Sequence, residues 1–410
     1  MDGYYLIGER LGHSFSPELH RAFGRCDYGL KELSAEELGP FLERRCFAGL
    51  NVTIPFKQAV LPYLDRLEPQ AAAIGAVNTV VNRNGTLWGY NTDYGGMKAS
   101  IQRLGIDLRG KTALVLGTGG TSKTALAVCR ALGAAGVFQV SRSGKNGALR
   151  YESLHRSDLA PDLLINCTPV GTWPDLDGRP PEIEALTGLR AVFDCVYNPL
   201  RTRLVLEARA RGIPADGGLE MLVRQAALAC ELFTGEPVSE QTLGRVLDGL
   251  RRQRENLVLI GMPGAGKTTV GRLLAQKTGK EFVDLDEELE RRTGKTIASI
   301  FAERGEAHFR ELEAVLIAEI AGTGGRIVAS GGGAVLRAEN VRRLKQNGRL
   351  FLLDRPLEAL LPSPARPLGD TAEKLARLWD ERSSVYAAAA DVRVDNSGSL
   401  EQTVSAILRA

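Results

Sequence analysis

Short apolar, β-branched runs alternate with helix-length amphipathic stretches along almost the whole chain, the pattern of an α/β protein with mostly parallel sheets. Three sets of runs read as strands: residues 5–8, 50–54 and 76–81, then 112–116, 137–141, 163–166 and 191–195, then 257–260, 282–285, 326–329, 350–353 and 392–394. After the second set, residues 243–256 end in Arg251-Arg252-Gln253-Arg254-Glu255-Asn256, which is charged and has no buried-face pattern. This places a domain boundary near Arg251, with a short linker at 251–256. There is no internal repeat and no low-complexity tract.

Composition narrows the classes. At 410 residues the chain exceeds one ordinary core, and domains of about 100–200 residues imply two or three. With 44% hydrophobic and 25% charged residues it reads as soluble and globular. A net charge of +3 without a basic run argues against nucleic-acid or membrane-surface partners. Cys26, Cys46, Cys129, Cys167, Cys195 and Cys230 are scattered, with neither CxxC nor zinc-like spacing, which suits a reducing cytoplasm. The start, Met1-Asp2-Gly3-Tyr4, has no signal-peptide character, and no apolar run approaches the roughly 18–20 residues of a membrane span. Only His13, His20, His155 and His308 are available, so the chemistry is sought in Lys, Asp, Arg and glycine-rich loops.

Gly117-Thr118-Gly119-Gly120-Thr121 stands between a strand and the helical stretch 123–132. Such a turn lets backbone approach a pyrophosphate seated on a helix N-terminus. The pattern is GxGG rather than GxGxxG, and alone it also fits a tight strand–helix turn. After the next strand comes Ser141-Arg142-Ser143. No acidic residue stands there to hold a ribose 2′-hydroxyl, whereas Arg142 can pair with a 2′-phosphate, which points to NADP.

Ser14-Phe15-Ser16-Pro17, Asn51-Val52-Thr53-Ile54-Pro55-Phe56-Lys57, Gly75-Ala76-Val77-Asn78-Thr79 and Gly89-Tyr90-Asn91-Thr92-Asp93 are dense polar clusters. With the glycine turn, Ile165-Asn166-Cys167-Thr168-Pro169, Asp194-Cys195-Val196-Tyr197-Asn198-Pro199 and Gly218-Leu219-Glu220-Met221-Leu222-Val223-Arg224-Gln225, they resemble the shikimate dehydrogenase family across residues 4–250, in the family's order. The resemblance implies that Ser14 and Ser16 bind the substrate carboxylate and that Thr53, Asn78, Asp93, Tyr197 and Gln225 hold the ring hydroxyls. It further implies that Lys57 transfers the proton, with Asp93 favouring its charged form, and that Cys195 and Gly218 lie beside the cofactor. The stretch 21–49 is shorter than the family pattern leads one to expect, implying a trimmed early element, and Phe56 stands where histidine is frequent, a structural position.

In the remaining sequence Gly261-Met262-Pro263-Gly264-Ala265-Gly266-Lys267-Thr268 is a complete Walker A loop between strand and helix. Backbone groups of Gly264, Ala265 and Gly266, with Thr269, would cradle nucleotide phosphates; Lys267 would reach the terminal phosphates and Thr268 would ligate Mg²⁺. Asp284-Leu285-Asp286, residues 305–313, Ser330-Gly331-Gly332-Gly333, Arg366-Pro367-Leu368 and Arg382 with Tyr386 follow. The series resembles the shikimate kinases over 257–408. It implies that Asp286 holds the acceptor hydroxyl, that Asp284 acts on magnesium through water, and that Arg310 and Arg382 grip the carboxylate. Gly332 would approach the substrate and Arg366 would come from the lid. Glu306 and Glu313 read as helix-surface acids. The lid, 354–366, is short and proline-rich, with Leu360 and Leu361 where an adenine-contacting arginine is frequent.

The expected architecture is therefore an α/β substrate domain (1–93, completed by helices within 219–250), a Rossmann NADP domain (94–218) and a P-loop kinase domain with a parallel sheet (257–410). The expected activity is cytoplasmic reduction of 3-dehydroshikimate with NADPH followed by phosphorylation of shikimate with MgATP, by a monomer or homodimer with small-molecule partners. The alternatives are a dehydrogenase that also accepts quinate, and a kinase-like half that binds ligand for regulation without efficient turnover.

Overall fold

The computed structural model describes every residue except 1–2, 13, 25–26, 146, 157–158, 181–185 and 361–370. The chain forms two compact units, Met1–Asn198 with Leu204–Leu250, and Pro199–Arg203 with Arg251–Ala410.

The first unit opens with β1 (Tyr4–Gly8), α1 (Ser16–Phe23), β2 (Tyr28–Glu32), α2 (Ala35–Arg44), β3 (Gly49–Val52), β4 (Arg66–Leu67), α3 (Pro69–Ile74), β5 (Thr79–Arg83), β6 (Thr86–Tyr90) and α4 (Thr92–Arg103). Its strands form one sheet in the order β2-β1-β3-β5-β6-β4. β1 runs parallel to β2 and β3, but β5 is antiparallel to both β3 and β6, so this sheet is mixed rather than parallel. Ile7, Leu50, Val80 and Leu87 form its fully buried centre. The stretch 21–49 holds the end of α1, all of β2 and a capped α2, whose Ser34 and Glu37 close a capping box.

The second sheet of this unit contains β7 (Thr112–Leu116), α5 (Gly120–Ala131), β8 (Gly136–Ser141), β9 (Leu149–Arg150), β10 (Leu163–Asn166), β11 (Ala191–Asp194), α6 (Arg203–Ala210) and β12 (Ala215–Asp216). The order β12-β11-β10-β7-β8-β9 is wholly parallel and reverses direction beside β7, the arrangement of a doubly wound dinucleotide fold. Two further helices follow, α7 (Leu219–Thr234) and α8 (Glu240–Arg254). The residues read as a linker at 251–256 are not extended chain: α8 runs through Arg254, and Asn256 opens the next strand.

In the second unit β13 (Asn256–Ile260), α9 (Lys267–Thr278), β14 (Glu281–Asp284), α10 (Leu285–Thr293), α11 (Ile297–Gly322), β15 (Arg326–Ala329), α12 (Ala338–Asn347), β16 (Gly348–Asp354), α13 (Ala372–Ala389), β17 (Val392–Asp395) and α14 (Leu400–Arg409) surround a five-stranded sheet. Its order, β14-β15-β13-β16-β17, is wholly parallel. Val258, Leu259, Ile327, Val328 and Leu350 are fully buried, as strands covered on both faces require. A left-handed residue, Gly305, interrupts α11 and frees its second part to take its own direction.

One close approach governs the first unit. A methyl group on Gly96 of α4 would lie 2.7 Å from the Met221 carbonyl oxygen and 3.3 Å from the Gln225 nitrogen of α7. Gly96→Ala is expected to cost about 1–3 kcal/mol by forcing the helices apart, seen as a lower urea midpoint of the full chain. An unchanged midpoint would show that the contact yields freely.

Candidate active sites

The first site gathers where β3, β5 and β6 end or begin. Asn91 caps α4 by accepting from the Tyr94 N–H, and its amide donates to the Ala76 carbonyl at 2.8 Å. This capping holds Asp93 in the first helical turn, buried to 6% exposure. The Lys57 Nζ donates to Asp93 Oδ2 at 2.5 Å. Asn78 accepts from the Thr92 N–H at 2.7 Å and donates to Thr92 Oγ1 at 3.0 Å and to Gln225 Oε1 at 3.4 Å. Behind it a buried polar ladder continues: the Asn51 amide donates to Thr79 Oγ1, while its carbonyl accepts from Tyr28 and pairs with His20. The Ser14 and Ser16 hydroxyls lie 3.2 Å apart at the start of α1. Phe15 packs on Tyr197, and burial pushes the Tyr197 phenol above its ordinary pKa. Thr53 is half-buried just beyond β3, its N–H bonded to the Ile7 carbonyl.

The glycine turn borders this cluster. Gly117 has φ 102, which an L side chain rarely adopts, and a Cβ on Gly120 would meet Lys57 Cβ at 3.3 Å. α5 begins at Gly120, with Thr118 exposed before it and Thr121 in its first turn. This cradle, bare of side chains at Gly117, Gly119 and Gly120, fits a pyrophosphate on the helix N-terminus. The Ser141 hydroxyl accepts from the Gly144 N–H, while Arg142 and Ser143 are exposed at the end of β8. A Cβ on Gly218 would overlap the Cys195 carbonyl, so the start of α7 rests directly on the end of β11.

The second site is a 430 Å³ cavity at the strand ends of the second unit. Gly264 and Gly266 take positive φ in the loop before α9. Lys267 Nζ folds back onto the Gly261 and Met262 carbonyls at 2.9 and 3.0 Å. Thr268 donates to Asp284 Oδ2 at 2.6 Å, and Asp284 Oδ1 caps α10. A hydroxyl and a carboxylate so placed are hard-oxygen donors suited to magnesium. The Asp286 carboxyl is pushed up to about 6, chiefly by burial and then by the Asp284 charge. Arg310 donates to Glu313 Oε2 at 2.8 Å and to Glu306 Oε1 at 3.0 Å. Arg382 and the Tyr386 hydroxyl both donate to the Gly332 carbonyl. Arg366 lies outside the described residues.

Glu313 is not a surface acid: it is 1% exposed, and among the described residues its Oε1 and the Ser330 Oγ have no hydrogen-bond partner. Its place one helical turn beyond Arg310 was the available signal. Arg355, just after β16, also lines the cavity with a buried Nε that has no partner among the described residues; no motif in the sequence marks it. Among the described residues no group of three or more His, Cys, Asp or Glu is placed to hold a metal, and no helix is long and apolar enough to cross a membrane.

Both units resemble known protein families. Residues 6–80 match the model of the shikimate dehydrogenase substrate binding domain, and 218–243 match that of the shikimate 5′-dehydrogenase C-terminal domain. The shikimate dehydrogenase (NADP(+)) of Clostridium beijerinckii is 36% identical over 250 residues, covering 57% of this chain and 92% of the relative. The chain belongs to the shikimate dehydrogenase family. Its second unit carries a shikimate kinase domain, matched by that family's model over residues 263–410. The Geobacillus kaustophilus shikimate dehydrogenase (NADP(+)) is 37% identical, covering 61% of this chain and 99% of its own length. Among solved structures, the Thermus thermophilus shikimate 5-dehydrogenase in complex with NADP(H) and shikimate has TM-score 0.54 and 33% identity, covering 61% of this chain and 99% of its own. A chorismate mutase/shikimate 5-dehydrogenase fusion from Clostridium acetobutylicum has TM-score 0.56 and 30% identity, covering 61% and 97% respectively.

The raised Asp286 carboxyl has a stability consequence for the kinase domain. Its ordinary value is 3.8 and its folded value about 6. The folded state therefore binds the proton more tightly, and stability falls as pH rises between those values, with the full cost present above them. Asp286→Asn is expected to raise the unfolding midpoint at about pH 8 and to have little effect near pH 4. A variant less stable at both would contradict the assigned cause.

Proposed function

We propose that the dehydrogenase unit reduces 3-dehydroshikimate to shikimate with NADPH and that the kinase domain phosphorylates the 3-hydroxyl of shikimate with MgATP. The Lys57–Asp93 pair beside the glycine turn carries the first assignment. NADPH, when bound, supplies the hydride. Lys57 gives its proton to the ketone oxygen as charge develops there, and Asp93 orients the ammonium. Ser14 and Ser16 hold the carboxylate, while Thr53, Asn78, Tyr197 and Gln225 hold the ring hydroxyls. Residues 117–121 take the pyrophosphate, and Arg142, flanked by Ser141 and Ser143, takes the 2′-phosphate; backbone at Cys195 and Gly218 borders the nicotinamide. The Thermus relative, a complex with NADP(H) and shikimate, supports the same pairing of ligands here.

In the kinase domain MgATP supplies the phosphoryl group. Thr268 and Asp284 hold the magnesium, and residues 264–266 with Thr269 hold the phosphates. Lys267 exchanges its two carbonyl partners for phosphate oxygens. Asp286 takes the acceptor hydroxyl's proton, Arg310 and Arg382 grip the substrate carboxylate beside Gly332, and Arg366 neutralises charge from the lid. Arg355 adds a donor for a phosphate oxygen, since its buried Nε has no acceptor among the described residues.

A coupled assay with 3-dehydroshikimate, NADPH and MgATP tests both halves. Shikimate 3-phosphate should appear. Lys267→Ala should stop it at shikimate while NADPH oxidation persists, and Lys57→Ala should cut NADPH oxidation about 10²-fold or more. Shikimate accumulating unphosphorylated at high ATP would instead make the kinase domain a binding module.

Arg355→Ala should lower kcat/KM for ATP about tenfold or more, the worth of a charged hydrogen bond. Unchanged ATP kinetics would remove Arg355 from the site.

A further inference from the structure

Cys167 and Cys195 follow β10 and β11 directly, and their sulfurs lie 3.7 Å apart. The parallel register that pairs Leu163 with Ala191 and Asn166 with Asp194 continues onto these two residues. Their backbones remain tied, Cys167 N–H to the Leu116 carbonyl and Cys195 N–H to the Asn166 carbonyl, each at 2.9 Å. Neighbouring strands stand about 4.8 Å apart, inside the roughly 4.4–6.8 Å Cα separation that a disulfide spans. Side-chain rotation can therefore bring the sulfurs to bonding distance. Both residues are half-buried rather than sealed, whereas Cys129 and Cys230 are buried in the core.

The thiols sit among the dehydrogenase's own parts. A Cβ on Gly117 would lie 3.2 Å from the Cys167 carbonyl oxygen, one on Gly218 would overlap the Cys195 carbonyl, and the Asp93 charge reaches the Cys195 thiol. Neither sulfur is needed for hydride or proton transfer. Resting on the proposed placement of NADPH against these strand ends, we infer that Cys167 and Cys195 are a modification site, a dithiol that a hydroperoxide converts to a disulfide and that thereby shuts the dehydrogenase.

The chemistry balances. One sulfur attacks a peroxide oxygen of H₂O₂; the S–O bond forms, the O–O bond breaks, and the first water leaves. The second sulfur then attacks the resulting sulfenic acid; the S–S bond forms, the S–O bond breaks, and a second water leaves. The thiols lose two electrons and two hydrogens, and the peroxide is reduced to two waters. The hydrogen bond to Cys167 and burial hold the Cys195 thiol protonated, its pKa raised well above the ordinary value. The first attack therefore falls to Cys167, and the reaction is slow, because only a thiolate attacks readily. Closure fixes the two sulfurs in new rotamers at the ends of β10 and β11, where Gly117 and Gly218 pack on the Cys167 and Cys195 carbonyls without slack, so the bonded pair alters the cofactor cradle and the start of α7 beside it.

The test treats the full-length protein with H₂O₂. Intact mass should fall by two hydrogens, and digestion without reductant should yield a Cys167–Cys195 linked peptide. NADPH oxidation with 3-dehydroshikimate should fall in step with that peptide and return with dithiothreitol. Saturating NADP⁺ with shikimate should slow both changes. Phosphorylation of added shikimate offers an internal control, since residues 251–410 contain no cysteine. Cys167→Ser, and independently Cys167→Ala, should keep the reduced rate, form no linked peptide and retain activity longer under peroxide. A linked protein that is fully active, or equal inactivation of the Cys167 variants, would overturn the inference. If the reduced protein oxidised no NADPH at all, the functional reading would fail instead, and the peptide map would still report on the thiol pair.

Discussion

Parallel strands cannot be joined by tight hairpins, so after each one the chain must cross a face of the sheet before the next begins. That constraint collects strand carboxyl ends and helix amino ends along one edge, where unpaired backbone N–H groups point outward. In the doubly wound sheet Gly117 follows β7, Arg142 follows β8, and Cys195 and Tyr197 follow β11. In the kinase domain the phosphate loop follows β13, Asp284 closes β14, Ser330 follows β15 and Arg355 follows β16. The mixed sheet reaches the same result by reversal. β5 is antiparallel to β3, with Asn51 paired to Thr79, so the amino end of β5 brings Asn78 to the edge where β3 releases Thr53. β6 reverses again, with Thr79 paired to Tyr90, and delivers Asn91 and Asp93 to that edge.

The two sites differ in how far their polar groups are satisfied internally. In the dehydrogenase, Asn78 is fixed by Thr92, Thr79 and Gln225, and the ladder through Asn51 to Tyr28 and His20 closes behind it. Buried polar networks that are satisfied in this way hold one geometry. The kinase cavity instead keeps Glu313 Oε1, Ser330 Oγ and Arg355 Nε buried and without partners among the described residues. Such atoms are costly unless something pairs them, and together they describe a site organised around a polar ligand rather than around itself.

What the sequence revealed follows the same physics. Strands buried on both faces write continuous apolar runs, and β7, β10 and β15 are legible to the residue in Thr112–Leu116, Leu163–Asn166 and Arg326–Ala329. β2 was not, because Tyr28–Glu32 is an edge strand whose last three residues are exposed. β6 alternates buried Leu87 and Gly89 with half-buried neighbours and carries two glycine or threonine positions of weak apolar signal. β4, β9 and β12 are two-residue pairings that no periodicity can register. Residues 251–254 lacked a buried face yet prolong α8, since a helix already nucleated at Glu240 propagates at little cost through arginines favourable at its carboxyl end. Motif positions were conspicuous because close backbone approach demands glycine and the proposed chemistry demands Lys, Asp or Arg. Glu313 and Arg355 were not, because their meaning depends on burial, which charged residues in a sequence do not announce.

On the functions proposed for the two units, the contrast between the two carboxylates, Asp93 and Asp286, matches the difference between the two chemistries. Reduction of a ketone needs a proton delivered, and Asp93 is matched directly by the Lys57 ammonium at 2.5 Å in a half-buried setting. Such a pair gains little net stability against the desolvation of both charges, and its value lies in holding a charged donor at a fixed place. Phosphorylation of a hydroxyl needs a proton removed, and a directly paired carboxylate would be a poor acceptor. Asp286 accordingly has no ion-pair partner among the described residues, and burial with the neighbouring Asp284 raises its affinity for a proton, while Lys267 acts on it only through space. A carboxyl poised near 6 can take a proton and release it again at neutral pH, as general-base work requires. In the proposed roles, the same strand-end geometry serves opposite proton transfers, and the choice is made by whether a lysine is placed against the carboxylate or kept turned toward the phosphate loop.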